Sequence, residues 1–175
     1  MIDTVVEKMK DLFGDDRRRI KHALDVLEYA TFICDREYPG DSSLKKLVEL
    51  AAVLHDIGIK RAEALYNSSA PAYQHLEGPP LAQDILEKTG AEEKTIQRVC
   101  HIVGNHHHKS RIDGPDFQIL WEADLLVNMP GLPVIKKDTE TFTKMVLSNF
   151  KTAAGKKLAL ELYHRTKGAA PLRTV

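Results

Sequence analysis

Apolar residues recur along most of the chain at the three- and four-residue intervals of an amphipathic helix. Residues 17–35 and 43–57 show this spacing most clearly. The same pattern predicts further helices at 79–88, 91–108, 116–128, 138–150 and 155–167. No segment combines strand-like alternation with a hairpin turn. The sequence therefore predicts an all-α fold.

Start and stop signals divide these segments from one another. Ser42 or Ser43 is expected to cap the second helix, and Gly58 follows its last apolar turn. Longer loops are predicted at about 60–78 and 109–116. No linker or internal repeat splits the chain, so residues 1–175 are expected to form a single domain. Its core is expected at about 17–128, with covering helices at about 134–168.

Composition and charge exclude several classes of protein. The chain has 175 residues, of which 43% are hydrophobic, enough for one domain with its own core. The 25 basic residues balance the 25 acidic ones, so no extended nucleic-acid surface is expected. No apolar run approaches the roughly 18 residues of a membrane span. Cys34 and Cys100 form no disulfide framework, and a cytoplasmic location is expected.

Histidine and aspartate supply the candidate chemistry. The pair His55-Asp56 ends an apolar helical segment, where a nitrogen and an oxygen ligand would both lie inside the protein. Such a pair alone is often a hydrogen-bonded part of a core. Four other predicted helical segments, however, also carry a possible ligand on the apolar stripe, namely His22, His75, His106 and Asp124. A buried Asp124 needs compensation, which a metal ion or a hydrogen-bond network would provide.

The order of these motifs resembles the HD-domain phosphohydrolases, a family of all-α, metal-dependent enzymes named for the His-Asp pair. The resemblance spans about residues 17–128. It rests on RxxxHxxxVxxxA at 18–30, HDIG at 55–58, HxxGxxxA at 75–82, IVxNHH at 102–107 and ADLL at 123–126. The resemblance therefore implies a single-domain HD helical bundle.

The resemblance also implies a set of metal ligands. A first ion would be held by His22, His55, Asp56 and Asp124, and a second by His75 with His106 or His107, with Asp56 bridging the two ions. This arrangement is similar to the two-metal subset that includes the bacterial diadenosine tetraphosphate hydrolases. Two departures stand out. The usual HDIGK becomes HDIGIK, which moves the lysine to Lys60. No GYP motif follows, which argues against the related HD-GYP cyclic dinucleotide phosphodiesterases.

The ligand types suit hydrolysis of phosphate compounds. A divalent ion lowers the pKa of bound water to near 7, and two ions roughly 3.5–4 Å apart can hold both nucleophile and phosphoryl oxygen. Imidazole and carboxylate suit Fe, Mn, Zn, Ni or Co. We expect a phosphohydrolase that uses metal-bound hydroxide to cleave a phosphoester or phosphoanhydride of a small nucleotide or related metabolite.

Roles for other residues follow from their position. Asp56 and Lys60 are predicted to be catalytic, and four cations close to the ligands are predicted to bind substrate: Lys60, Arg61, Lys109 and Arg111. The run Arg17–Arg19 is interpreted as a solvated face, Trp121 as core, and three histidines as lying outside the ligand set: His101, His108 and His164. Two alternatives stay open: a di-iron oxygenase, and a noncatalytic metal-bound sensor or interaction module.

Overall fold

The structure, a computed structural model, describes residues 1–166 and contains helices and turns but no strand within that range. The helices are α1 (Ile2–Phe13), α2 (Arg17–Glu37), α3 (Ser42–Leu54), α4 (Ile59–Tyr66), α5 (Pro71–Lys88), α6 (Glu93–Val103), α7 (Pro115–Asn128), α8 (Thr139–Asn149) and α9 (Ala153–Thr166). Short 3₁₀ turns occur at Lys109–Arg111, Met129–Gly131 and Pro133–Lys136. The predicted all-α fold is confirmed. Residues 167 and 168 of the predicted covering helices lie outside the described residues.

Helix α3 lies at the centre of the fold. It packs against α2 and α7 on one side and against α6 and α1 on the other. Its buried residues divide between two apolar clusters: Val48 and Ala51 belong to the cluster with α2 and α7, whereas Leu50 and Leu54 belong to the cluster with α1, α5 and α6. A helix that is apolar on nearly all sides is expected to be enclosed in this way. None of the described helices is long and apolar enough to cross a membrane.

Two helices lie where none was predicted. Helix α1 buries Val5, Met9 and Phe13, which recur every four residues along one face. Helix α4 buries Ile59 and Ala62, and all but its first residue falls in the segment expected to be the start of the 60–78 loop. The apolar face of α1 runs the whole length of the helix and could have been predicted from its spacing, whereas α4 has only eight residues and a short apolar face.

The predicted loop at 60–78 is wrong for a second reason, which concerns proline. Helix α5 begins at Pro71, where the missing N–H costs nothing because the first N–H groups of a helix have no acceptor within it. The helix continues through Pro79 and Pro80. The helix predicted at 79–88 therefore begins eight residues earlier than expected. Helix α5 packs along α4 and α6. These contacts outweigh the low helix propensity of two internal prolines.

Helix ends around the His-Asp pair also differ from the prediction. Helix α3 is capped by Asp41, whose carboxylate accepts a hydrogen bond from the Leu44 N–H at 2.9 Å, rather than by Ser42 or Ser43. The helix ends at Leu54 and not at residue 57, and Gly58 begins α4 instead of only ending α3. Helix α6 likewise ends at Val103, five residues before the predicted end. The histidines that follow both helices therefore lie on turns.

The C-terminal helices are attached to α7 through a buried carboxylate. Helix α9 packs on α7 and α2, and α8 packs on α9. Glu122 of α7 is fully buried and accepts hydrogen bonds from the Lys151 N–H at 2.6 Å, the Thr152 N–H at 3.1 Å and the Thr152 hydroxyl. The turn between α8 and α9 is therefore fixed to the helix that carries Asp124.

Candidate metal centre

Five segments of the bundle bring the predicted ligands to one place. His22 comes from the middle of α2, His75 from α5 and Asp124 from α7. The other four residues occupy the turns that follow α3 and α6: His55, Asp56, His106 and His107. Two groups of metal-ligating atoms result, each with its atoms within 4.8 Å of one another.

The first group consists of His22, His55 and Asp124. The Nε2 atom of His22 lies 3.2 Å from Nε2 of His55 and 3.1 Å from Oδ1 of Asp124. The Nε2 atom of His55 lies 3.8 Å from the same Asp124 oxygen. Two imidazole nitrogens and one carboxylate oxygen thus face a common point.

The second group consists of His75, His106 and His107. The His106 and His107 ring centroids are 3.9 Å apart, and the His75 ring lies 5.8 Å from that of His106 and 5.5 Å from that of His107. The His108 ring also lies 4.7 Å from that of His75, but His108 is not part of the group of converging ligand atoms.

Asp56 lies between the two groups. Its Oδ2 atom is 3.6 Å from Nε2 of His22 and 3.5 Å from Nε2 of His55, whereas its Oδ1 atom is 3.4 Å from Nε2 of His106. One carboxylate oxygen therefore faces each group, as the ligand pattern of a bridging carboxylate requires.

Backbone carbonyls fix the orientation of two of the histidine rings. Nδ1 of His55 lies 2.8 Å from the Ala52 carbonyl oxygen, and Nδ1 of His106 lies 2.8 Å from the Val103 carbonyl oxygen. A carbonyl only accepts, so in each ring Nδ1 carries the proton and donates it. In the neutral ring, the lone pair then resides on Nε2, which faces the ligand groups.

The buried ring nitrogens test whether a cation fits. The Nε2 atoms of His75 and His106 are buried and make no hydrogen bond within the described part of the chain. Buried polar atoms nearly always have a partner, so two such nitrogen atoms in one cluster indicate a site for a cation that accepts their lone pairs. Nitrogen and carboxylate oxygen without thiolate suit Fe, Mn, Zn, Ni or Co. The residues fit divalent metal.

Charge is distributed unequally between the two groups. Burial lowers the pKa of His55, but the negative charges of Asp56 and Asp124 outweigh burial and raise it to about 9. Burial raises the pKa of Asp56, yet the neighbouring His55 and His106 hold it well below its usual value. In the second group, burial together with His106 lowers the pKa of His107 to about 4. His107 is therefore neutral and free to act as a ligand at physiological pH.

A cavity of about 430 Å³ opens onto these ligands. Its walls include Arg18, Arg19 and Gln74 beside His22, Asp56 and Asp124. The Arg19 guanidinium is neutralised by Glu63, at 2.6 and 3.0 Å, and by Asp16 at 2.8 Å. Arg18 makes no ion pair with any residue in the range 1–166. Arg18 is therefore the cation of this wall that can receive an anion.

The four predicted substrate-binding cations lie elsewhere. The Lys60 ammonium donates to the Phe13 carbonyl oxygen at 2.9 Å, at the end of α1. Arg61 pairs with Glu77 at 2.7 Å, and Lys109 donates to the Ser148 hydroxyl at 2.8 Å. Arg111 is exposed on the short turn Lys109–Arg111. None of the four lines the cavity, and the catalytic and binding roles assigned to them stay predictions.

Sequence reasoning missed three residues at the site. Arg18 is exposed, as the interpretation of a solvated face expects, but it also lines the cavity, because it precedes His22 by four residues, the spacing that puts two side chains on one helix face. By the same spacing, Asn128 donates to Asp124 Oδ1 at 2.8 Å. Gln74 is buried, lines the cavity and has one unpartnered amide oxygen. The first two were recoverable from spacing to a predicted ligand.

Three comparisons bear on the identity of the fold and its site. A solved structure described as a predicted HD superfamily hydrolase from an uncultured Thermotogales bacterium has a TM-score of 0.66 and 22% sequence identity to this chain. The match covers 94% of this chain and 86% of that one, and at this identity it shows the shared fold. No curated protein matches the sequence. The model of the HD domain matches residues 19–134, a span that contains all seven predicted metal ligands, and the chain belongs to the HD-domain family.

Proposed function

We propose that the protein is a metal-dependent phosphohydrolase that cleaves a phosphoester or phosphoanhydride of a small metabolite such as a nucleotide. One observation carries the proposal. The two ligand groups share Asp56 and open onto a cavity whose wall presents the unpaired cation Arg18. Such a site offers positions for two divalent ions and one for an anionic substrate group.

The two-ion arrangement is part of this proposal. His22, His55 and Asp124 would hold one ion, and His75, His106 and His107 the other, with Asp56 bridging as in the subset that includes the diadenosine tetraphosphate hydrolases. When bound, divalent ions at these groups would lower the pKa of a water molecule and neutralise charge on the phosphoryl oxygens.

Three further residues of the cavity bind the substrate or orient the site: Arg18, Gln74 and Asn128. The Arg18 guanidinium presents planar N–H donors that match the oxygens of a phosphoryl group. Gln74 donates its amide nitrogen to the Ser69 carbonyl oxygen at 2.6 Å, which fixes the side chain so that its amide oxygen is left without a partner. Asn128 holds the Asp124 carboxylate in the orientation in which it faces His22.

The test is a hydrolysis screen. The metal-loaded protein is given phosphomonoesters, phosphodiesters and nucleoside polyphosphates, each with several divalent ions, while dissolved oxygen is monitored and the products are separated by ion-exchange chromatography, because a diester yields a monoester and an alcohol without inorganic phosphate. We expect hydrolysis products from at least one class without oxygen consumption. Asp56→Asn keeps the size of the bridging residue but removes its charge, and should reduce product release by at least about 100-fold.

The matched control is Asp84→Asn, which changes an exposed carboxylate of α5 that pairs with Lys88. This variant should retain full activity. Undiminished release in Asp56→Asn would refute the catalytic assignment. Oxygen consumption that accompanies turnover would establish the oxygenase alternative instead, and bound metal with no turnover in either assay would establish a noncatalytic module.

A further inference from the structure

A second cavity adjoins the same predicted ligands. Its volume is about 450 Å³, and it shares three wall residues with the first cavity: His107, Asp124 and Asn128. The two cavities are therefore continuous with one metal centre and give a bound substrate two directions in which to extend.

The walls of the two cavities differ in chemistry. The first contains Arg18 and Arg19, whereas the second contains Trp121, Leu125 and Leu132 and no cation. Trp121 and Leu125 are four residues apart on α7, and they lie on the same face as Asp124. Helix α7 thus presents a ligand carboxylate and an apolar surface side by side.

The Trp121 side chain carries a hydrogen-bond donor that no described residue satisfies. Its indole Nε1 is buried and makes no hydrogen bond among residues 1–166. Buried N–H groups are rarely left unpaired, and a ring that carries heteroatoms would supply an acceptor together with an apolar face. An aliphatic chain would supply only the apolar contact.

We propose that the second cavity binds a flat heteroaromatic ring of the substrate, so that the substrate is a phosphate ester or anhydride with its anionic part beside Arg18 and its ring beside Trp121. This inference rests on the proposed function for the position of the phosphoryl group. It adds the class of organic group and the direction in which the substrate lies. The first cavity has the two arginines and, as apolar side chains, only the aliphatic Ile59 and Val127 among its lining residues, whereas the tryptophan ring lines the second cavity.

The chain offers a direct optical test because Trp121 is its single tryptophan. The metal-loaded protein is titrated with methylenephosphonate analogues of adenosine monophosphate and of ribose 5-phosphate, in which a P–C bond prevents turnover. Both analogues carry the same anionic group, and only the first carries a ring base. We expect the adenosine analogue to change tryptophan emission and to bind at least tenfold more tightly than the ribose analogue.

Variants of the apolar wall locate the effect. Leu132→Ala and Trp121→Leu should each reduce the preference for the adenosine analogue over the ribose analogue to threefold or less in a calorimetric titration. Neither variant should weaken binding of the ribose analogue. Leu147→Ala is the matched control, since Leu147 is 60% exposed on α8. Equal affinity for the two analogues, or a preference that survives both wall variants, would overturn the proposal.

The outcome is separable from that of the proposed function. If esters with and without a heteroaromatic base are hydrolysed with equal kcat/KM, and the two analogues bind with equal affinity, the ring site is refuted. The proposed phosphohydrolase activity then still stands. Ring-dependent binding in a protein that releases no phosphate from any substrate would support the ring site and remove the phosphohydrolase.

Discussion

A single methyl group at Gly58 is expected to disrupt one metal group while sparing the other. Gly58 follows the His-Asp pair at the start of α4, where the chain touches α5. An added Cβ would lie 2.6 Å from the Gly78 backbone nitrogen and 2.8 Å from the Gln74 carbonyl oxygen. Both atoms belong to the backbone of α5, so no side-chain rotation relieves the contact.

The magnitude follows from these distances. Helix α5 and the turn that carries Gly58 must separate by about 0.8 Å to reach ordinary van der Waals contact, and overpacking of this kind costs roughly 1–3 kcal/mol. We therefore expect Gly58→Ala to lower the free energy of unfolding by about 2 kcal/mol. The same movement displaces His75, which α5 carries, from His106 and His107.

Urea denaturation of the metal-free protein and metal analysis of the loaded protein measure the two effects. Gly58→Ala should retain the ion at the first group and bind the second at least about tenfold more weakly. Gly131→Ala is the control for both measurements, because a Cβ there meets nothing within 4 Å. A Gly58→Ala protein with an unchanged urea midpoint and unchanged metal content would refute the packing argument.

Three further perturbations follow from the structure. Glu122→Ala leaves buried donors near Thr152 unpaired and should lower the free energy of unfolding by about 3 kcal/mol in urea denaturation; a loss below about 1 kcal/mol would contradict the anchoring role. Because the pKa of His55 is about 9 without metal, a binding ion displaces a proton, and affinity should rise roughly tenfold per unit between pH 7 and 8 and level off above 9. Affinity that calorimetry finds independent of pH over this range would contradict that charge state. Arg18→Gln should raise KM for a phosphorylated substrate about tenfold in steady-state kinetics, while Arg17→Gln, outside the cavity, should change it less than twofold; equal effects would contradict the assignment.

The fold class and the convergence of the ligands were predictable from sequence. Periodic apolar stripes identify the long helices, and a titratable residue on such a stripe must face the interior whatever the exact packing. His22 and Asp124 could thus be assigned to the interior before any distance was known, and both face it in the structure.

The positions of the cations were not predictable in the same way. A lysine or arginine near a ligand in sequence has a long, flexible side chain, and its direction depends on which acceptor the fold brings close. Lys60 turns to the end of α1, a helix that was not among those predicted although its apolar spacing is helical. The first turns of α5 were missed because the low helix propensity of proline outweighed a weak apolar signal.

The proposed metal centre holds two divalent ions that share Asp56. The most direct test is the number of metal ions per chain, measured by mass spectrometry after saturation with Mn²⁺ or Fe²⁺ and removal of free ions. Two ions per chain are predicted, falling to one in His75→Ala. A saturated protein that binds no ion, or an Asp56→Asn variant that keeps both with unchanged affinity, would contradict the account.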